Sequence, residues 1–185
     1  MKQVAQRLEV SLDVLRGASR TAEARQRTLR ATLDWSHDLL SEDERTFFRR
    51  LSVFSGGWTL EAAEAVSSGG GIEQEDVLDL LGGLVDKSLV VAGAPTGGAL
   101  RYRMLEPIRQ YAQELLEQRG LAEELRDRHA GFFLALAEEV EPELTGAQQG
   151  VWVERLEAEH GNMREALSRF LDRGGETALR LGAAL

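Results

Sequence analysis

The chain has no cysteine among its 185 residues. That excludes disulfides, cysteine-ligated zinc and a cysteine nucleophile together. Nowhere does an apolar run approach the ~18 residues that a membrane span needs. Met-Lys-Gln at the start leads into a polar helix rather than an apolar signal core, and the chain reads as cytoplasmic. Excess positive charge is also missing: 22 Lys and Arg face 31 Asp and Glu, a net −9, which argues against a general polyanion binder. The three histidines, His37, His129 and His160, lie far apart, each without a ligand at i+3 or i+4, so no metal site is expected. There is no G-x-x-x-x-G-K-[ST] loop to cradle a triphosphate. Nor does an acidic run follow an apolar strand to hold magnesium. The glycine clusters at 69–71, 82–83 and 97–98 lack a following Lys-Ser or Lys-Thr and read as turns. No nucleophile–base constellation stands out. The pair His37–Asp38 reads as a helix surface, and the acidic run Glu138, Glu139, Glu141 and Glu143 as a solvated helix end. No catalysis is expected from this chain alone.

What is present is a dense pattern of short helices. From Arg27 to Val66 the sequence RTLRATLDWSHDLLSEDERTFFRRLSVFSGGWTLEAAEAV predicts three. Thr28 to Leu40 carries Leu29, Leu33 and Leu40 on one line. Ser41 followed by Glu44 is a capping-box pattern, and Phe47, Phe48, Leu51 and Phe54 form the buried stripe of the second helix. Ser55-Gly56-Gly57 stops it, and Thr59 can cap a third. A fourth is predicted over Glu75 to Asp86, where Gly82-Gly83 weakens it and can let another backbone come close. Ser88 to Ala92 and Leu100 to Met104 are strand candidates around the turn Pro95-Thr96-Gly97-Gly98. Helices followed by such a hairpin make a winged helix, with the hairpin as the wing. Ahead of this block, Lys2 to Arg16 is a helix candidate and Ala18 to Gln26 a basic link.

From Glu106 onward the pattern is helical. Pro107 suits a helix start, and Ile108, Tyr111, Ala112, Leu115 and Leu116 make one face, closed by Gly120. Leu121, Leu125, Phe132, Phe133, Leu136 and Val140 make the next. Glu141 to Ala147 is a loop. Trp152, Leu156, Met163, Leu167 and Phe170 mark later segments, with a break near Gly161-Asn162 and a stop at Gly174-Gly175. Trp35, Trp58 and Trp152 are expected in the core or at an interface. Helix pairs of this length suggest tetratricopeptide-like repeats, and the apolar last helix suggests an array that continues.

The motifs RTLRATLDWSHDLLSEDERTFFRRLSVFSGGWTLEAAEAV, DVLDLLGGLVDKSLVV, RYRMLEPIRQYAQELL and RLEAEHGNMREAL resemble bacterial STAND-type, NB-ARC-like ATPase transcriptional regulators of the LuxR and antibiotic-regulatory type. The resemblance implies a mainly α fold: a winged helix, then an α-helical repeat region. It implies the end of a nucleotide-binding or lid region at 1–27, a winged helix at 28–118 and the start of the repeats at 119–185. It further implies an upstream nucleotide-binding domain that takes ATP or ADP, and a protein or small-molecule effector at the repeats. This chain itself is expected to hold no cofactor. Related switch ATPases end the strand leaving the wing in Met-His-Asp, whose histidine senses phosphate. The matching positions are Met104, Leu105 and Glu106. Leucine donates no hydrogen bond and Glu106 would repel phosphate, so the sensor role does not carry over. Leu105 is expected in the core. Arg103 or Arg101 could approach a phosphate instead, but on an exposed wing both are expected to be solvated.

Two function classes then compete. The first is a regulatory module facing protein, coupling a nucleotide-binding domain to helical repeats. The alternative is a DNA-binding winged-helix regulator; a functionless fragment is a third possibility. The helix expected to read DNA, Glu73 to Lys87, carries Glu73, Glu75, Asp76, Asp79 and Asp86 against Lys87. Phosphates would repel it, and apart from Gln74 it has no side chain suited to base edges. Direct DNA contact is therefore not expected, although Arg16, Arg20, Arg25, Arg27 and Arg30 form a basic patch.

Overall fold

A computed structural model describes residues 27–95, 98–146 and 149–184. The predicted helix Lys2 to Arg16, the basic link after it, and Thr96 and Gly97 of the predicted turn lie outside the described residues. The chain divides into two compact units, 1–39 and 40–185.

Within the first unit a helix, α1, is described over 27–38. Its Thr32 and Ser36 hydroxyls donate back to the carbonyls of Thr28 and Thr32 at 3.0 and 2.9 Å, the back-bond by which these residues are accommodated within a helix at a small cost. Trp35 on this helix is 65% exposed, which removes the core half of its core-or-interface expectation.

The second unit opens with α2, Glu42–Arg50. The capping box forms as predicted: the Glu44 amide donates to the Ser41 hydroxyl, and the Ser41 amide to the Glu44 carboxylate at 2.8 Å. Acids in its first turn and arginines in its last suit the helix dipole. Phe47, Phe48, Leu51 and Phe54 are all fully buried. A 3-10 turn, Leu51–Val53, extends α2. Then come β1 (Trp58–Thr59) and α3 (Leu60–Ser67), whose first turn is capped by the Thr59 hydroxyl. A second 3-10 turn, Gln74–Asp76, leads into α4, Val77–Asp86. Arg50 reaches from α2 into the loop between α3 and α4. It is buried and donates to the carbonyls of Ser67, Gly69 and Gly70 at 2.7, 2.5 and 3.2 Å.

The hairpin follows as β2 (Val91–Ala92) and β3 (Arg101–Arg103). The sheet has three strands rather than the predicted two, in the order β1-β3-β2, all antiparallel. Trp58 stands opposite Tyr102, and Val91 opposite Arg103. β1 escapes sequence reading because two residues give no alternation to detect. Gly57 makes its approach possible: φ is +122°, and a β-carbon there would sit 2.7 Å from the Tyr102 carbonyl oxygen.

Beyond the hairpin run α5 (Glu106–Gln118), α6 (Ala122–Val140), a 3-10 turn (Glu141–Thr145), α7 (Gln149–Ala158), α8 (His160–Asp172) and α9 (Glu176–Ala183). The described chain is thus mainly helical, with one small sheet. α5 packs on α2, and α6 packs on both α3 and α8. Ion pairs fasten the later helices to the earlier ones: Arg155 to Glu61 at 2.9 Å, Arg169 to Asp127 at 2.7 Å and Arg180 to Glu138 at 2.6 Å. The predicted break near Gly161-Asn162 falls instead at Glu159, and both residues lie inside α8. No helix among the described residues is long and apolar enough to cross a membrane.

Candidate functional site

Two neighbouring surfaces bear on function: the exposed face of α4 and the hairpin. The α4 face follows from its sequence. Val77, Leu81 and Leu84 turn into the core, which leaves Leu78, Asp79, Gly82 and Asp86 outward, behind exposed Glu73, Gln74, Glu75 and Asp76. Leu78 is 53% exposed. The cation at its end is spent: Lys87 pairs with the Glu44 carboxylate at 2.6 Å. Partial burial works to raise the Glu44 carboxyl, but its bonds to Lys87 and Ser41 outweigh that and hold it below its ordinary range. The reading of Gly82-Gly83 as a backbone approach is corrected here. A β-carbon at Gly83 would meet the same Glu44 carboxylate, at 2.5 Å, and nothing lies near Gly82.

The hairpin corrects a second expectation. Arg101 does not lie solvated on an exposed wing. Its guanidinium is clamped by both carboxylate oxygens of Glu159 and donates to the Ala158 carbonyl at 3.0 Å. Glu159 stands at the corner between α7 and α8 and is only 2% exposed. Arg103, the alternate residue of the same strand, is exposed.

Glu159 leads to a buried polar cluster that sequence reading missed. Asn162, fully buried in the first turn of α8, makes all four hydrogen bonds its amide allows. Its nitrogen donates to the Gly57 carbonyl at 2.8 Å and to Glu159 at 2.7 Å. Its oxygen accepts from the Ser55 amide at 2.7 Å and from His129 Nε2 at 3.1 Å. One side chain thereby joins the turn before β1, helix α6 and the corner that holds Arg101. Gly161 is required beside it, because a β-carbon there would lie 2.6 Å from the Ser55 carbonyl oxygen. His129 sits against the rings of Phe54 and Phe133, with centroids 5.3 and 4.7 Å away. Burial in this apolar wall lowers its pKa to about 4, while the bond to Asn162 pulls the other way. The ring is therefore neutral at physiological pH and donates through Nε2. The only sequence signal was the run Glu159, Gly161 and Asn162 inside RLEAEHGNMREAL.

The sensor-motif positions run consecutively from the end of β3 into α5. Met104 is buried. Leu105 is 46% exposed rather than in the core; it is the extended residue that precedes the first turn of α5. Glu106 is bound to Arg109 at 3.0 Å and Gln110 at 2.9 Å. The bond to Arg109 is the chief cause that holds its carboxyl below the usual range. Of the histidines, His129 is buried in the cluster and His160 is exposed. Among the described residues no three His, Cys, Asp or Glu side chains gather around a possible metal. In the acidic run, Glu138 is taken by Arg180, and Glu139, Glu141 and Glu143 are exposed. Trp58 is buried as expected, and Trp152 is half-buried with the Arg155 guanidinium 5.5 Å over its ring.

The element order α2-β1-α3-α4-β2-β3 and the sheet order are those of a helix-turn-helix core with a wing. Residues 40–117 match the family described as a winged helix-turn-helix domain. This part of the chain is a winged helix. Across nearly its whole length the chain is also similar to a protein of Mycobacterium tuberculosis named "Putative HTH-type transcriptional regulator", 42% identical over 184 residues, 99% of this chain and 20% of that protein. A counterpart of the same name in Mycobacterium bovis matches equally well. An uncharacterized protein of Mycobacterium tuberculosis is 41% identical over 114 residues, 61% of this chain and 29% of its own length. The chain thus spans about a fifth of the length of the regulators it matches. No solved structure matches it.

Proposed function

We propose that the chain is a segment of a transcriptional regulator in which the winged helix presents its α4 face to protein rather than to DNA. The relatives' name and the winged-helix match support the regulatory setting. One observation carries the protein-facing part: the exposed face of α4 bears Asp79 and Asp86, the turn that leads into it bears Glu73, Glu75 and Asp76, and the Lys87 beside it is neutralised by Glu44. A helix entering the major groove gains affinity by neutralising phosphates, and this one would add repulsion. Arg101 of the wing, turned to Glu159, offers no compensation. The resemblance to STAND-type ATPases extends the proposal: a nucleotide-binding domain, taking ATP or ADP, would act on this face, and α6–α9 would begin a tetratricopeptide-like array that binds an effector. This segment would then have no catalytic role of its own.

The comparisons favour a second reading, in which the winged helix itself contacts DNA as part of a DNA-binding regulator. That is the reverse of the sequence-based expectation, and it rests on the family description and the relatives' name. The name belongs to proteins about five times as long as the match. An electrophoretic shift separates the two. The purified chain is expected to leave duplex DNA unshifted at ~0.15 M salt, while the triple variant Glu75→Lys, Asp76→Lys and Asp79→Lys gains retention that fades as salt rises. Micromolar retention by the unaltered chain, lost on Arg103→Gln, would establish the DNA-contact reading instead.

A further inference from the structure

We propose that the Arg101–Glu159–Asn162 cluster is a coupling latch: it ties the wing to the α7–α8 corner, so that displacing this corner is the event that frees the wing. The argument starts from satisfaction. Asn162 uses both amide protons and both oxygen lone pairs on partners in three other parts of the chain. A buried network of this kind is stable when complete and costly when partly broken, because each orphaned group stays out of water. It therefore has two states, intact or released, rather than a graded range, which is what an element needs to transmit displacement between sites.

The two sides of the corner are held differently. α8 buries Met163 and Ala166 and is pinned to α6 by Arg169. α7 has no fully buried side chain and is held by half-buried residues and by the pairing of Arg155 with the exposed Glu61, so it is the looser neighbour. The corner residues Ala158 and Glu159 between them take both ends of the Arg101 guanidinium. Arg101 in turn lies in the central strand of the sheet, paired to β1 on one side and β2 on the other. Movement of α7 thus reaches the wing directly through Arg101, with Asn162 tying the same corner to the turn before β1, and does so whether the wing's eventual contact is protein or DNA.

Hydrogen exchange on the full chain, read by mass spectrometry, tests this. Glu159→Gln and Arg101→Gln are each expected to quicken exchange at 91–93 and 101–103 by about tenfold or more, with α2 and α5 unchanged. The double variant should add nothing to either single one, because both break the same latch. Arg169→Gln, which loosens α8 from α6 elsewhere, should leave the wing amides alone. Should Glu159→Gln fail to fold, Arg101→Lys carries the same expectation, since an ammonium cannot span Glu159 and the Ala158 carbonyl together. Unaltered wing exchange in Arg101→Gln or Arg101→Lys would overturn the proposal. So would quickening spread evenly through α2 and α5, which would mark the cluster as general stability, or an equal response to Arg169→Gln.

Discussion

The α4 face and the α7–α8 corner put the same kind of residue to opposite use. On α4 and the turn before it, carboxylates stand in water and Glu73, Glu75, Asp76, Asp79 and Asp86 build a field. At the corner, Glu159 is buried against Arg101 and Asn162 and contributes position. A winged helix that reads DNA uses its third helix and its wing. Here the helix in that position, α4, and the turn before it are acidic, and Arg101 at the base of the wing is engaged by Glu159. Both differences bear on the protein-facing reading proposed above, in which neither element meets phosphate.

The largest effect that would break this contrast is expected at Asn162. Asn162→Ala strips four buried hydrogen bonds and leaves the Ser55 amide and the Gly57 carbonyl without their partner. A loss of about 4 kcal/mol is expected in urea unfolding; a loss below about 1 kcal/mol would mean that water replaces the amide and the corner is not tightly built. Next comes pH. The His129 ring has its pKa lowered to about 4 in the fold from an ordinary 6.5, so unfolding takes up a proton anywhere between those values. Its contribution is complete above pH 6.5 and drains away as pH falls towards 4, by about 3 kcal/mol in all. His129→Gln should flatten the stability profile across that window; an unchanged slope would place the titration elsewhere. The smallest effect is expected on the open face. Glu75→Gln and Asp79→Asn should each shift stability by less than about 0.5 kcal/mol, in line with solvated charges. A larger loss at either position would show that the α4 face holds the domain together rather than presenting charge.

Much of the fold was legible along the chain. The capping box at Ser41 and Glu44, the stripe of Phe47, Phe48, Leu51 and Phe54, and Pro107 at the start of α5 are local signals, and the structure contains each. The acidity of α4 needed only counting. What escaped was non-local. Asn162 bonds to Ser55 and Gly57 across more than a hundred residues, and Arg101 finds Glu159 across 58. Without those partners, Gly161-Asn162 reads as a helix break and Arg101 as a solvated wing residue. Leu105 was expected in the core as an apolar residue in place of a sensor histidine; as the residue that opens α5 it is half exposed instead. Periodicity reports which face a residue occupies, not what meets that face.

The grip of Arg50 on the loop after α3 bears on how this domain can change. Loops between helices usually accept insertions at little cost. Here one added residue would carry the carbonyls of Ser67, Gly69 or Gly70 off a guanidinium that lies buried beneath them, stranding a positive charge in the interior. The spacing from α3 to α4 is therefore fixed by a residue on a different helix. The acidic face can be rewritten side chain by side chain, but the angle at which α4 presents it is not free to drift.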